Sequence, residues 1–219
     1  MGLSISYTLS HRGELGEEVL YRLVEHTATL ATRIGCAKVF GPILGGPAHW
    51  NLSELPDGST TGDPIGAIEG FSVSVLPGEG CETADFGLCR YEGVEGWKLS
   101  SWCKTQYAVR HGVDHFLRCH LRMVSLLDLW RSFGVTLDVC DEGEYWEHRS
   151  IGRLRERITR YERLIAAVAG TLKDDFEEQG ISVQAEIFDH AQFERIEAEG
   201  QAEFAAQLAE LRRLIRGQL

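Results

Sequence analysis

Asp138 to Ser150, DVCDEGEYWEHRS, packs five carboxylates, a Tyr, a Trp, a His and an Arg into thirteen residues. Carboxylates this crowded push one another's pKa values apart, which is how paired acids and bases are made. A nearby Lys104 would hold one of them ionised. Lys104, Asp141, Glu142 and Glu144 are therefore the acid–base candidates. Gln106, Tyr107, Tyr145, Trp146 and Glu147 are the candidate ligand contacts. A divalent metal is the other chemistry these residue types offer. His111 and His115 are spaced i, i+4, Cys119 continues that face, and Asp141 or Glu142 would complete a His-His-carboxylate set. Against both stands a bland alternative. The carboxylates form a salt-bridge network that closes a strand end, with Tyr145 and Trp146 as core plugs. On that alternative His120, between Phe116, Leu117 and Val124, is a hydrogen-bonded core histidine, and Cys103 is buried in its strand.

The flanking pattern says what must hold these residues. "LSISYTL" alternates like a strand, residues 10–36 read as an amphipathic helix, and "AKVFGPI" reads as a second strand. Residues 44–70, rich in Gly and Pro, read as a long binding or covering loop with Trp50 and Leu52 as anchors. "GFSVSVLP" and the segment ending "ADFGLCRY" form a hairpin. "WKLSSWCKTQYA" is a strand, "VDHFLRCHLRMVSLLDLWRSFG" a helix stopped by Gly134, and "VTLDVC" the strand that enters the carboxylate run. Beyond 150 the pattern predicts a long helix capped at Ser150, a strand "ISVQAEIF", and a last helix capped by Asp189 with Gly217 just past its end. The fold class is α+β with α/β elements. β-α-β units form a mixed sheet with helices packed on it, and a helical extension follows. Residues 1–150 make the core domain. Residues 151–219, helix-strand-helix, are expected to pack on it rather than stand alone.

A strand-helix-strand crossover sets its two strands parallel. That predicts "SSWCKTQY" beside "VTLDVC", with Lys104 next to Asp141 or Glu142 at the carboxyl edge, where open α/β sheets bind ligands. "CKTQYA", followed one crossover later by "DEGEYWE" and preceded by Gly80-Cys81-Glu82, resembles an uncharacterised bacterial protein family. The likeness covers mainly residues 70–150. It implies a site at this edge and no particular activity.

Composition excludes several classes. The 219 residues carry 22 basic and 33 acidic side chains, a formal net charge of −11, and no basic stripe, so nucleic acid is not an expected partner. No stretch is long and apolar enough to span a membrane, and neither a signal peptide nor a P-loop is legible. "MGLSIS" fits a myristoylation pattern, but Leu3 to Leu9 reads as a strand. Six cysteines without CxxC spacing read as reduced thiols and point to the cytoplasm. Two functional readings follow. The first is a binding or interaction module whose acidic, aromatic edge takes a small molecule or protein. The second is a small-molecule enzyme, a metal-dependent hydrolase among the options, built on Lys104, His115, Asp141 and Glu142. The sequence does not settle whether the protein is an enzyme. Phe193, Ile196, Phe204, Leu208, Leu211 and Ile215 form an apolar stripe on the last helix. It either packs on Leu154, Ile158, Tyr161, Leu164, Ile165 and Val168 or makes a homodimer.

Overall fold

The computed structural model describes residues 3–54, 60–177, 179–190 and 192–216. Met1 and Gly2 of the myristoylation pattern, and Gly217, lie outside them. Contacts divide the chain into two units, 1–151 and 152–219. The chain is α+β.

The first unit is built on one six-stranded sheet. Its strands are β1 (Ser4–His11), β2 (Lys38–Leu44), β5 (Ala67–Leu76), β6 (Ala84–Tyr91), β7 (Trp97–Lys104) and β8 (Thr136–Asp141). They lie in the order β2-β5-β6-β7-β1-β8. Each pair of neighbours is antiparallel. Helices α1 (Glu17–Arg33) and α2 (Val113–Ser132) make the two crossovers. The strands they join do run parallel, as the crossover rule requires, but they are not adjacent. β1 lies between β7 and β8, pairing both. The physical reason is that antiparallel neighbours can be supplied by a strand from anywhere in the chain, and the N-terminal strand takes the gap.

Alternation fixes the two faces. In β1 Ile5, Tyr7 and Leu9 are buried, while Ser4, Ser6 and Thr8 are not. The buried set joins Val73, Val75, Phe86 and Cys103 of the sheet with Leu20 and Val24 of α1 and Met123, Leu126, Leu127 and Trp130 of α2 in one core. Burying such side chains stabilises by about 1.5–3 kcal/mol each. Gly134, at φ +79°, ends α2 as its position predicts.

The expected loop of residues 44–70 is in fact a two-stranded sheet of β3 (His49–Glu54) and β4 (Thr60–Ile65). Its glycines and prolines hide a strand pattern, because main-chain pairing does not need apolar alternation. Trp50 is not an anchor: it is 54% exposed. The side chain of Leu52 lies outside the described residues. What holds the hairpin's base is Tyr91, whose hydroxyl donates to the Pro47 carbonyl at 2.9 Å and whose ring meets His49 at 5.2 Å.

The second unit pairs α4 (Ile151–Glu177) with α5 (Phe193–Arg216). The strand expected at 181–188 is absent. That segment is irregular and ends in a 3₁₀ turn, Glu186–Asp189, so Asp189 does not cap α5. Among the described residues no strand pairs with it, so its main chain has no ladder to join. The two helices run antiparallel and approach through small residues. A Cβ on Gly200 would stand 2.1 Å from the Arg163 carbonyl oxygen, and one on Gly170 would strike Glu197. Ala166, Ala167, Gly170 and Ile196 are buried, and Arg163 pairs Glu199 at 2.9 Å. Of the two apolar stripes, Leu154, Ile158 and Ile196 are buried. Phe204, Leu208, Leu164, Ile165 and Val168 are all at least partly open to solvent. The side chains of Leu211 and Ile215 lie outside the described residues.

Candidate functional site

The carboxylate run begins where β8 ends. Asp141 is the last residue of the strand and turns its carboxylate inward. Oδ1 accepts the Gly143 N–H and Oδ2 the Trp146 N–H, both at 2.8 Å. Oδ2 also faces His120 Nε2 at 3.1 Å, with both side chains wholly buried. A carboxylate only accepts, so Nε2–H donates. The Thr105 hydroxyl closes the other ring nitrogen at 3.0 Å. Burial pushes the Asp141 carboxyl up. The His120 hydrogen bond and charge and the two amides outweigh it and hold the group below the ordinary carboxylate range. His120, read from sequence as a core residue, is thus the partner that Lys104 was expected to be.

The rest of the run is arranged around this hub. Glu142 is exposed and accepts both the N–H and the hydroxyl of Ser4, at 2.8 and 2.7 Å. Glu144 takes a left-handed conformation, φ 58°, and its N–H reaches the Asp141 carbonyl at 3.0 Å. That turn starts the single helical turn α3 (Tyr145–His148). Tyr145 and Trp146 pack against the core, and Tyr145 meets His120 edge-on. Arg131 and Arg149 lie over the Trp146 ring at 5.0 and 4.5 Å, and Arg149 makes a two-pronged ion pair with Asp128. Glu147 is exposed.

Lys104 and Asp141 lie at the same end of the sheet, pairing with Ser4 and Ile5 of β1. One strand separates them, so their main chains stand about 10 Å apart. Gln106 is buried and accepts the Leu3 N–H at 2.7 Å, whereas Tyr107 is exposed. His111 and His115 do meet, rings 5.3 Å apart, but both turn to Glu79 rather than to Asp141 or Glu142. Among the described residues no group of three or more His, Cys, Asp or Glu is placed to hold a metal ion. The i, i+4 spacing was a true neighbour signal without a third ligand.

Sequence reasoning missed a different site on the sheet face that carries no helix. β1, β7 and β8 form a grid there. Ser6 lies between Trp102 and Cys140, and Thr8 between Ser100 and Asp138. The β3–β4 hairpin and the loop before it bring Pro47, Ala48, His49 and Trp50 to the same place. Together with Asp85, Lys98 and their neighbours, these residues line a cleft of about 570 Å³. Trp102 is 60% exposed and Trp50 54%. Thr8 and Ser100 share a hydrogen bond of 2.9 Å on the floor. Burial, then the charge of Lys98, lowers the His49 pKa. The available signal was the polar alternation of β1 and β7 with a Trp on the polar side.

No family model, curated protein or solved structure matches the chain.

Proposed function

We propose that the protein is a binding module whose ligand seat is the open-face cleft, and that the ligand is a small ring compound of saccharide type. The observation that carries this reading is the pair of exposed tryptophans, Trp50 and Trp102, bordering a floor of serine and threonine hydroxyls. Indoles on a soluble surface normally find cover, and a concave site with a few convergent polar groups is where ligands bind. A sugar ring has a face of C–H bonds for an indole and a rim of hydroxyls that both donate and accept. Ser6, Thr8 and Ser100 can answer in kind. Phosphorylated ligands are a poorer match, because Asp85 and Asp138 offset Lys98 in the cleft and the chain is acidic overall.

The enclosed state of Asp141 also supports binding over catalysis at the strand ends. Its oxygens are committed to His120, Gly143 and Trp146, so Asp141 itself offers no open carboxylate there. Two further readings belong to the proposal. Two copies associate through the apolar residues left open on α4 and α5. The compartment is a reducing one, the cytoplasm, which suits six free cysteines.

Titrating the protein with a panel of mono- and oligosaccharides, read by tryptophan fluorescence, tests the seat. At least one saccharide should quench or shift emission with a Kd at or below about 1 mM. Trp102→Ala should weaken it by about tenfold or more. A panel without response, or a response untouched by both Trp102→Ala and Trp50→Ala, overturns the proposal.

A further inference from the structure

The two ends of the open-face cleft differ in chemistry. β7 runs along the floor, and its Lys98 and Trp102, four residues apart, are separated by about 13 Å. Lys98 pairs with Cys89 of β6 in the sheet, and Tyr91, two residues further along β6, meets the His49 ring at 5.2 Å. The charge of Lys98 acts on His49, and Trp50 is the next residue, so this end gathers a cation, an imidazole and an indole. At the Trp102 end the wall is Asp85. Its N–H donates to the Ser101 hydroxyl oxygen at 3.0 Å, and its carbonyl accepts the Tyr7 hydroxyl at 2.8 Å. Ser74 donates its hydroxyl to one of the carboxylate oxygens.

Lys98 is half-buried, yet among the described residues its ammonium has no ion pair and no hydrogen bond. Asp138, the nearest cleft carboxylate by strand register, is on β8 opposite Thr8, with β1 in between. A partly desolvated cation that faces a concave site without a counter-charge gains when a ligand brings one. We propose that the cleft takes an acidic oligosaccharide, with the carboxylate of a uronic acid ring on Lys98 beside Trp50 and a neutral ring on Trp102 and Asp85. This rests on the reading of the cleft as a saccharide seat and names the class of sugar.

Length and charge both favour this ligand. Two indoles at opposite ends of a floor of this length give two linked rings a face each, and the Ser100 and Thr8 hydroxyls lie between them. The single charge of a carboxylate matches one unpaired ammonium, whereas a phosphate would set two charges against Asp85 and Asp138. Burial and Lys98 hold the His49 ring neutral at pH 7, so it offers a hydrogen bond to the acidic ring without adding a second cation. Asp85 sets the direction of the chain. The carboxylate oxygen that Ser74 leaves free accepts sugar hydroxyls, and its charge turns a second uronic acid away from that end.

The test titrates the full chain at low salt and pH 7 with disaccharides that carry one uronic acid ring, each beside its carboxyl-reduced neutral counterpart, read by tryptophan fluorescence. At least one acid should bind about tenfold or more tightly than its counterpart, and the ratio should shrink as salt is raised. Lys98→Met should bring the ratio to within about twofold of one, while Lys98→Arg keeps the preference. Neutral counterparts that bind as well as the acids overturn this proposal and leave the saccharide seat standing. A preference that survives Lys98→Met overturns it too, because the carboxylate then sits elsewhere. Silence from acids and counterparts alike removes the seat and this proposal together. The comparison in the wild-type protein decides the matter even if the methionine variant fails to fold.

Discussion

At the scale of the residue, Asp141 is the hub of the carboxylate run. Its carboxylate is buried, ionised and shared among one imidazole and two amides. In Asp141→Asn an amide nitrogen replaces one of the two acceptor oxygens and meets a donor. Removing one partner of a buried pair should cost about 3 kcal/mol at neutral pH. The pH dependence has a defined sign. The folded pKa is below the unfolded one, so the contribution is complete above about pH 4 and fades as pH falls through the folded value. Urea midpoints at pH 6 and pH 3 should show wild type losing more stability than Asp141→Asn over that interval. Equal losses would mean that the carboxylate is not held ionised by the fold.

At the scale of elements the Gly80-Cys81-Glu82 turn, β7 and the 3₁₀ turn after it, Gln106–His111, form one clamp. Gly80 adopts φ +79°, and a Cβ on it would stand 2.6 Å from the Tyr107 carbonyl oxygen and 2.9 Å from the Ala108 Cα. Gly80→Ala adds left-handed strain to a main-chain clash, and should cost about 2–4 kcal/mol in chemical denaturation. An unchanged midpoint would show that the turn yields freely. The same elements show what the sequence made legible. Strong periodicity placed β1, α1, α2 and β8, and the crossover rule put Lys104 and Asp141 at one end of the sheet. It did not reveal that β1 fills the space between β7 and β8, because pairing partners leave no local mark in an antiparallel sheet. The β3–β4 hairpin was hidden by Gly62 and Pro64, which read as loop. The cleft was hidden with it, since His49 and Trp50 of its wall come from that hairpin. The strand expected at 181–188 failed for the opposite reason: β-branched residues there have propensity but no partner strand.

At the scale of the molecule, the helical unit leaves open the question of what covers its apolar side chains. α4 and α5 use glycine and alanine to approach each other, so the larger residues point elsewhere. Val168, Leu172 and Phe176 on α4 and Phe204 and Leu208 on α5 are each at least 38% exposed. Apolar side chains spread along two helices are costly to leave in water. Two antiparallel helix pairs related by a twofold axis make a four-helix bundle, in which such residues become core. α4 has 27 residues and is about 40 Å long, long enough for the roughly 1,000 Å² that a stable interface needs. Light scattering at micromolar concentration should therefore give twice the chain mass of 24.5 kDa. Phe204→Glu with Leu208→Glu should return the monomer mass while circular dichroism retains the helical signal. A wild-type mass near 24.5 kDa would remove the dimer, and a dimer that survives both glutamates would place the interface elsewhere.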